Sequence, residues 1–201
     1  MTSPLEQKSR HLTWLLRHGA RETGLKMNTA GWVDIHAILK ISGLSRTQLR
    51  NVVAGDHKQR FQIHADQIRA CQGHSTSGTP VTLDALERSW SVWNGHGAIW
   101  HGTHLAALTG IAKQGIHAKS RSHVHLSASL HSTVGKRANV AVMLHVDSDR
   151  LRHAGQTIFR SPNGVILARF VPMTCITGVE PMTANARRKA KIITTILWPE
   201  G

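Results

Sequence analysis

Near the start of the chain, Leu12, Leu15 and Leu16 recur at helical spacing and predict a helix over residues 5–18 that Gly19 would cap. Arg17 and His18 then fall in its last turn. A turn-rich connection runs from Gly24 to Gly31, after which Trp32, Ile35, Ile38 and Leu39 form the apolar side of a second helix beginning near Asp34. Ser45 and Gln48 have capping-box spacing ahead of Leu49, Val52 and Val53, and Gly55 closes this third helix. The period then changes from helical to alternating. Arg60-Phe61-Gln62-Ile63 and Ile68 to Gln72 predict two strands, with His64 to Gln67 turning between them. Three short helices followed by a two-stranded wing describe a winged-helix module. Arg46, Arg50, Lys58 and Arg60 are the cations available to line its contact face, although a solvated charged surface accounts for any one of them equally well.

Beyond Ser77 the pattern shifts toward strands, which puts a lobe boundary near residue 79 and divides the chain into lobes 1–78 and 79–201. Leu83 to Trp90 reads as a short helix. Ala98-Ile99-Trp100 reads as a strand that runs into a tight turn at His101-Gly102-Thr103. A helix of His104 to Gln114 follows, with Leu105, Leu108 and Ile111 inward and Gly115 at its end. Alternation puts His123 and His125 on one strand face, with Val124 and Leu126 on the other. Val140, Val142, Leu144 and Val146 make the clearest core strand, and Ile158 to Leu167 reads as a hairpin turning through Ser161-Pro162-Asn163-Gly164. No GxGxxG or Walker sequence opens a βαβ unit, so the expectation is a compact, sandwich-like β lobe rather than a doubly wound one.

Composition sharpens this α+β picture. Of the 201 residues, 25 are Lys or Arg against 11 acids, a formal charge of +14 that implies a polyanionic partner, nucleic acid above all. Tyr is absent and only 3 Phe are present, which argues against a general single-strand binder needing aromatic platforms. Cys71 and Cys175 lie far apart with no CxxC, so the expected setting is reducing and cytoplasmic. No apolar run approaches the ~20 residues needed to span a bilayer, and nothing calls for an obligate protein partner.

Candidate chemistry concentrates in Ile68-Arg69-Ala70-Cys71-Gln72-Gly73-His74-Ser75, which packs a cation, an amide, a flexible glycine, an imidazole and a hydroxyl into one short stretch. Arg69 is expected on the polar face of its strand, in reach of a ligand, and a solvated strand ending in a polar loop fits the pattern as well. Gly102 would let the backbone approach a cofactor, with Thr103 offering its hydroxyl and amide near a helix start. Gly135-Lys136-Arg137 would bring a cation to the site from a loop. His101, His104, His123 and His125 raise a metal reading, but no nearby carboxylate or thiolate partners them, and no metal is expected.

These segments occur in an order that resembles the RNA 2′-phosphotransferases. They are Leu15-Leu16-Arg17-His18-Gly19-Ala20, Gly31-Trp32-Val33, Lys58-Gln59-Arg60-Phe61, Ile68-Arg69-Ala70 with Gln72-Gly73-His74-Ser75, His101-Gly102-Thr103, His123-Val124-His125-Leu126, Val134-Gly135-Lys136-Arg137 and Ser161-Pro162-Asn163-Gly164-Val165. Singly they are weak; as an ordered set spanning about residues 5 to 180 they are specific. The resemblance implies an N-terminal winged-helix lobe and an ADP-ribosyltransferase-like, NAD-binding C-terminal lobe. It implies removal of an internal 2′-phosphate from RNA, such as a tRNA splice junction, with NAD⁺ consumed and nicotinamide and ADP-ribose 1″,2″-cyclic phosphate released. The family's catalytic set falls on Arg17, His18, Arg69 and Arg137, and its NAD-binding segments fall on His101, Gly102, Thr103, His123, His125, Ser127, Ser161 and Asn163. The RNA would meet Arg17, His18, Lys58, Arg60 and Arg69. Cys71, where the family usually has Asn, and Ser122 depart from the pattern, and Thr183 to Gly201 lies outside it. Two other readings compete: an ADP-ribosyltransferase acting on nucleic acid ends or protein, and a winged-helix binding protein without catalysis.

Overall fold

The computed structural model describes residues 4–132 and 140–199, so the expected Lys136-Arg137 loop lies outside the described residues. The chain forms two compact units. The first comprises residues up to Ser91 with Ser120–Ser122 and Ser161–Asn163; the second comprises Val92–Lys119, His123–Arg160 and residues from Gly164 onward.

In the first unit, α1 (Pro4–Trp14) runs directly into a π-helical turn, Leu15–Gly19. The sequence pattern predicts an ordinary helix closed by Gly19; instead Gly19 lies inside the widened turn, and Ala20 follows in helical geometry. Gly19 is packed against the Trp14 ring so closely that a Cβ there would sit 2.7 Å from it, and that contact is open only to glycine. Next come β1 (Val33–Asp34), α2 (Ile35–Ser42) and α3 (Arg46–Ala54). Asp34 caps α2 by accepting from Ala37 N at 3.0 Å, and Gly43 (φ 67°) ends it in the left-handed region. The expected capping box of α3 is present, with Ser45 Oγ accepting from Gln48 N at 3.1 Å and Gln48 Oε1 from Ser45 N at 3.2 Å.

β2 (Phe61–His64) and β3 (Gln67–Ala70) form the predicted hairpin, but β1 adds to it, giving a three-stranded antiparallel sheet in the order β1-β3-β2. A strand of two residues carries no readable alternation, so β1 was invisible to periodicity. α4 (Leu83–Arg88) completes this unit, capped by Thr82. Leu12, Leu15, Leu16, Ile38, Leu49 and Ile68 are fully buried between helices and sheet, each stabilising the fold by roughly 1.5–3 kcal/mol at most.

The second unit contains β4 (Ser91–Val92, at the junction), β5 (Ala98–Thr103), α5 (Leu108–Gln114), β6 (Ile116–His117), β7 (Val124–Leu126), β8 (Val142–Asp147) and α6 (Ser148–His153). β9 (Phe159–Arg160), β10 (Ile166–Ala168), β11 (Phe170–Val171), β12 (Ile176–Pro181), α7 (Ala184–Arg188) and α8 (Ala190–Leu197) follow. Its strands make antiparallel sheets ordered β4-β9-β10-β7 and β12-β8-β5, with β6 and β11 as a separate pair. One core joins Ile99, Val124, Leu126, Val142, Leu144, Val146 and Ile166. The protein is thus a mixed α/β fold of small antiparallel sheets and short helices.

One expectation for this unit needs correction. His101-Gly102-Thr103 is not a tight turn: it is the second half of β5, because His101, Gly102 and Thr103 pair with Leu144, Met143 and Val142 of β8. At Gly102 a Cβ would lie 2.8 Å from Val140 Cγ1 and 3.1 Å from Met143 Sδ, so the packing of this strand itself favours glycine there. The direction change comes at His104, before a single 3₁₀ turn (Leu105–Ala107) that leads into α5.

Candidate active site

The stretch after β3 folds back on the π turn. Ser75 N donates to Arg17 O at 2.8 Å, and Arg17 Nη2 donates to Gln72 Oε1 at 3.0 Å. Gly73 (φ 88°) passes so near that a Cβ would be 3.2 Å from Arg17 Cζ. Arg17 Nε is buried and has no hydrogen-bond partner among the described residues. Burial first, then the charges of Arg121 and Arg60, lower the Arg17 guanidinium to about 10. It stays cationic at neutral pH. His18 is lowered below its ordinary value by burial and then by Arg17 and Arg121.

Behind them lies His74, fully buried. Burial, followed by Arg17, Arg69 and His18, lowers it to about 3, so its ring is neutral. Neither ring nitrogen has a partner among the described residues, and the same holds for Ser122 Oγ, whose own N–H donates to His74 O at 2.9 Å. Gly31 is what admits the imidazole: at φ 85°, a Cβ on it would meet His74 Nε2 at 2.6 Å. Asp56, a carboxylate whose charge reaches Arg17, is itself held by Arg60 Nη1 at 3.0 Å. The result is a group of cations around Arg17, whose Nε is unpartnered among the described residues. Such a site suits an oxyanion, and a phosphate best, because a guanidinium fork matches its oxygens.

Arg69 is in the same unit but is not on a solvated strand face, as alternation suggests; it is buried, 3 % exposed. Its Nε donates to Gln62 Oε1 at 2.9 Å, Nη1 to Ser89 Oγ at 2.7 Å and Ala30 O at 3.3 Å, and Nη2 to Ser89 O at 3.4 Å. The Trp32 ring lies beneath it, 4.6 Å from Cζ to the ring centroid. The polar face of β3 is thus covered by the Ala30–Trp32 turn and by the residue that ends α4.

The remaining expected residues divide between the units. Ser161 and Asn163 belong to the first unit, where Ser161 Oγ donates to Asn163 Oδ1 at 2.8 Å and Asn163 Nδ2 to Lys58 O at 3.0 Å. Arg60 is an internal brace as much as a surface cation, since Nη1 also donates to Ser9 Oγ at 3.3 Å. In the second unit, His101 Nδ1 and His125 O are 3.0 Å apart and Trp100 bridges Ser127, so β5 brings His101 beside His125 and Ser127 of the β7 edge. Ser127 Oγ donates to Ser129 O at 3.0 Å, Thr103 is buried, and the His123 ring meets Phe159 edge-on. His101 and His125 are half-buried, whereas His123 is buried. Among the described residues, no group of three or more His, Cys, Asp or Glu side chains is arranged to hold a metal.

Comparison with known proteins decides the family. The profile of the "RNA 2'-phosphotransferase, Tpt1 / KptA family" matches residues 3–169. The chain belongs to that family. It is an enzyme of the transferase class. A protein of Burkholderia lata named "Probable RNA 2'-phosphotransferase" is 38% identical over 175 residues, 82% of this chain and 86% of its own length. One from Pseudomonas fluorescens with the same name is 33% identical over 178 residues (84% and 94%), and one from Acaryochloris marina is 32% identical over 189 (90% and 100%).

Sequence reasoning about this transferase left Gln72, His74, Arg121 and Trp32 off its list of site residues. The crowded chemistry of Ile68–Ser75 was a usable signal for the first two. Nothing local points to Arg121, which reaches the first unit because Ser120–Ser122 returns to it from afar.

Proposed function

We propose that this transferase removes an internal 2′-phosphate from RNA, with NAD⁺ as co-substrate, leaving a 2′-hydroxyl and releasing nicotinamide and ADP-ribose 1″,2″-cyclic phosphate. A tRNA splice junction is the representative substrate. In this reading the first unit is a winged-helix RNA-binding lobe and the second an ADP-ribosyltransferase-like lobe. A cytoplasmic setting agrees with two buried, unpaired cysteines, and no helix among the described residues is long and apolar enough to cross a membrane.

The observation that carries the proposal is Arg17, a partly buried guanidinium whose Nε has no partner among the described residues, beside a neutral His74 whose two ring nitrogens likewise have none there. An RNA 2′-phosphate carries a charge of about −1.5 to −2 at neutral pH, so it reacts without a base and chiefly needs holding. Gln72 fixes the Nη2 arm of the Arg17 fork, and Nε, unpartnered among the described residues, is the donor assigned to the phosphate. Arg69, clamped by Gln62, Ala30 and Ser89, offers a second fixed cation whose orientation needs no rearrangement. Bound NAD⁺ supplies the ribose carbon that takes the phosphate and the nicotinamide that leaves. His101, His125 and Ser127 are the side chains assigned to hold its sugar and base. His18, whose pKa burial and then Arg17 and Arg121 lower, would take the proton of the attacking ribose 2″-hydroxyl and return it to the RNA 2′-oxygen as that departs. Arg137 is assigned to the phosphoryl oxygens at that stage.

Incubating the protein with a 2′-phosphorylated oligonucleotide and NAD⁺ tests this. The expected result is 2′-hydroxyl RNA and nicotinamide in equal amounts. RNA that gains ADP-ribose while keeping its phosphate would instead make the protein an ADP-ribosyltransferase of RNA. RNA binding with no NAD⁺ consumption would leave only a binding protein.

A further inference from the structure

The last two helices carry charge that the catalytic reading does not use. α7 and α8 lie beyond residue 169, where the family match ends. Arg187, Arg188, Lys189 and Lys191 are all exposed, and none makes a side-chain hydrogen bond or ion pair with a described residue. The described carboxylates of this unit are Asp147, Asp149 and Glu180, of which Asp149 is held by Arg152 at 2.6 Å and His96 at 2.8 Å.

Helix dipoles explain half of this cluster. Arg187 and Arg188 end α7, where its negative pole favours cations. Lys191 lies in the first turn of α8, at its positive pole, where the dipole disfavours it, and Lys189 is both the C-cap of α7 and the N-cap of α8, so the two poles oppose each other there. There α8 has neither an acidic residue in its first turn nor a side-chain cap to offset the positive potential. The mounting is rigid. Thr183 Oγ1 accepts from Ala186 N at 3.2 Å, and Ala186, Ile193 and Leu197 are buried in the unit's core. Because α8 spends its apolar face on that core, it cannot lay the same face into a bilayer.

We propose that Arg187, Arg188, Lys189 and Lys191 form a docking surface for RNA backbone, which sets affinity for long RNA and uses none of the residues assigned to the reacting phosphate. The proposal rests on the RNA-processing reading above. With no aromatic ring among the four, the contacts are phosphodiester contacts without sequence preference.

The test replaces all four with Gln, and separately with Glu, in the full chain. Binding of a tRNA-sized RNA without a 2′-phosphate is followed by fluorescence anisotropy across a salt series. The dissociation constant should rise about tenfold at low salt for the Gln variant and further for the Glu variant, with the slope of log K against log salt reduced by about 2 to 3. Turnover of a short 2′-phosphorylated oligonucleotide should stay at the wild-type level, which also shows that the variant folds. An unchanged salt slope overturns the proposal, as does an equal loss on short and long substrates. Loss of binding to phosphatidylserine vesicles with RNA binding intact overturns it in favour of a membrane contact. If the wild-type protein dephosphorylates no RNA but the variants still lose RNA affinity, the catalytic reading fails and the docking surface stands.

Discussion

Arg17 and Arg69 lie in the same unit, and burial lowers both from the ordinary arginine range. Their surroundings otherwise differ. Arg69 is committed to Gln62, Ala30 and Ser89 and rests on Trp32, whereas among the described residues the Arg17 side chain holds Gln72 and leaves Nε unpartnered. A guanidinium with its hydrogens already donated is a fixed charge and a structural tie; one with donors in reserve can close on an incoming anion. Two arginines that the family pattern groups together therefore have separable duties, and substitution should separate them.

The largest expected effect is at Arg17. Arg17→Ala should lower turnover of 2′-phosphorylated RNA by on the order of 10²- to 10³-fold, while leaving only the Gln72 carbonyl unpaired, a stability loss of about 1 kcal/mol. Arg69→Ala should also reduce activity, but with a thermal signature. Freeing Gln62, Ala30 and Ser89 together should remove roughly 3 kcal/mol, a melting shift of about 6–12 °C. Steady-state kinetics and calorimetry on both proteins check this; equal melting shifts would erase the distinction.

His74 sharpens the comparison through pH. Its unfolded value is 6.5 and its folded value about 3, so between these the unfolded chain binds the extra proton and stability falls as pH falls. The slope from this group is about 1.4 kcal/mol per pH unit. His74→Gln should remove that component, read as the difference between urea melts of the two proteins at pH 6 and pH 4. The smallest effect is at Trp32. Trp32→Leu removes a stacking contribution of about 1 kcal/mol and should loosen Arg69, raising KM for RNA severalfold, while Trp32→Phe retains a ring and should restore most of it. A Phe variant as impaired as Leu would mean that Trp32 acts through its size rather than its face.

Sequence and structure agree where neighbours along the chain decide the outcome. The Asp34 and Ser45 caps, the β2–β3 hairpin and the β9–β10 hairpin through Ser161–Gly164 rest on contacts within a few residues. Disagreement begins where the partner is remote. His101 to Thr103 look like a turn until β8 pairs with them, and Arg69 looks exposed until Ala30 and Ser89 close over it. The widened turn at Leu15–Gly19 depends on a ring-to-glycine contact that hydrophobic spacing does not encode. Similarly, Gln72 and His74 were visible as unusual residues, but their proximity to Arg17 follows from the chain folding back at Gly73.

Sealing His74 away also gives the molecule a built-in reporter. Of the 15 histidines, this one lies wholly out of solvent beneath cations, so its carbon-bound proton resonance should hold still while exposed rings drift on mild acidification. Burial does most to keep the ring neutral, but a dianion settling against Arg17 would cancel part of the cationic contribution, and the resonance would begin to move at a less acid pH.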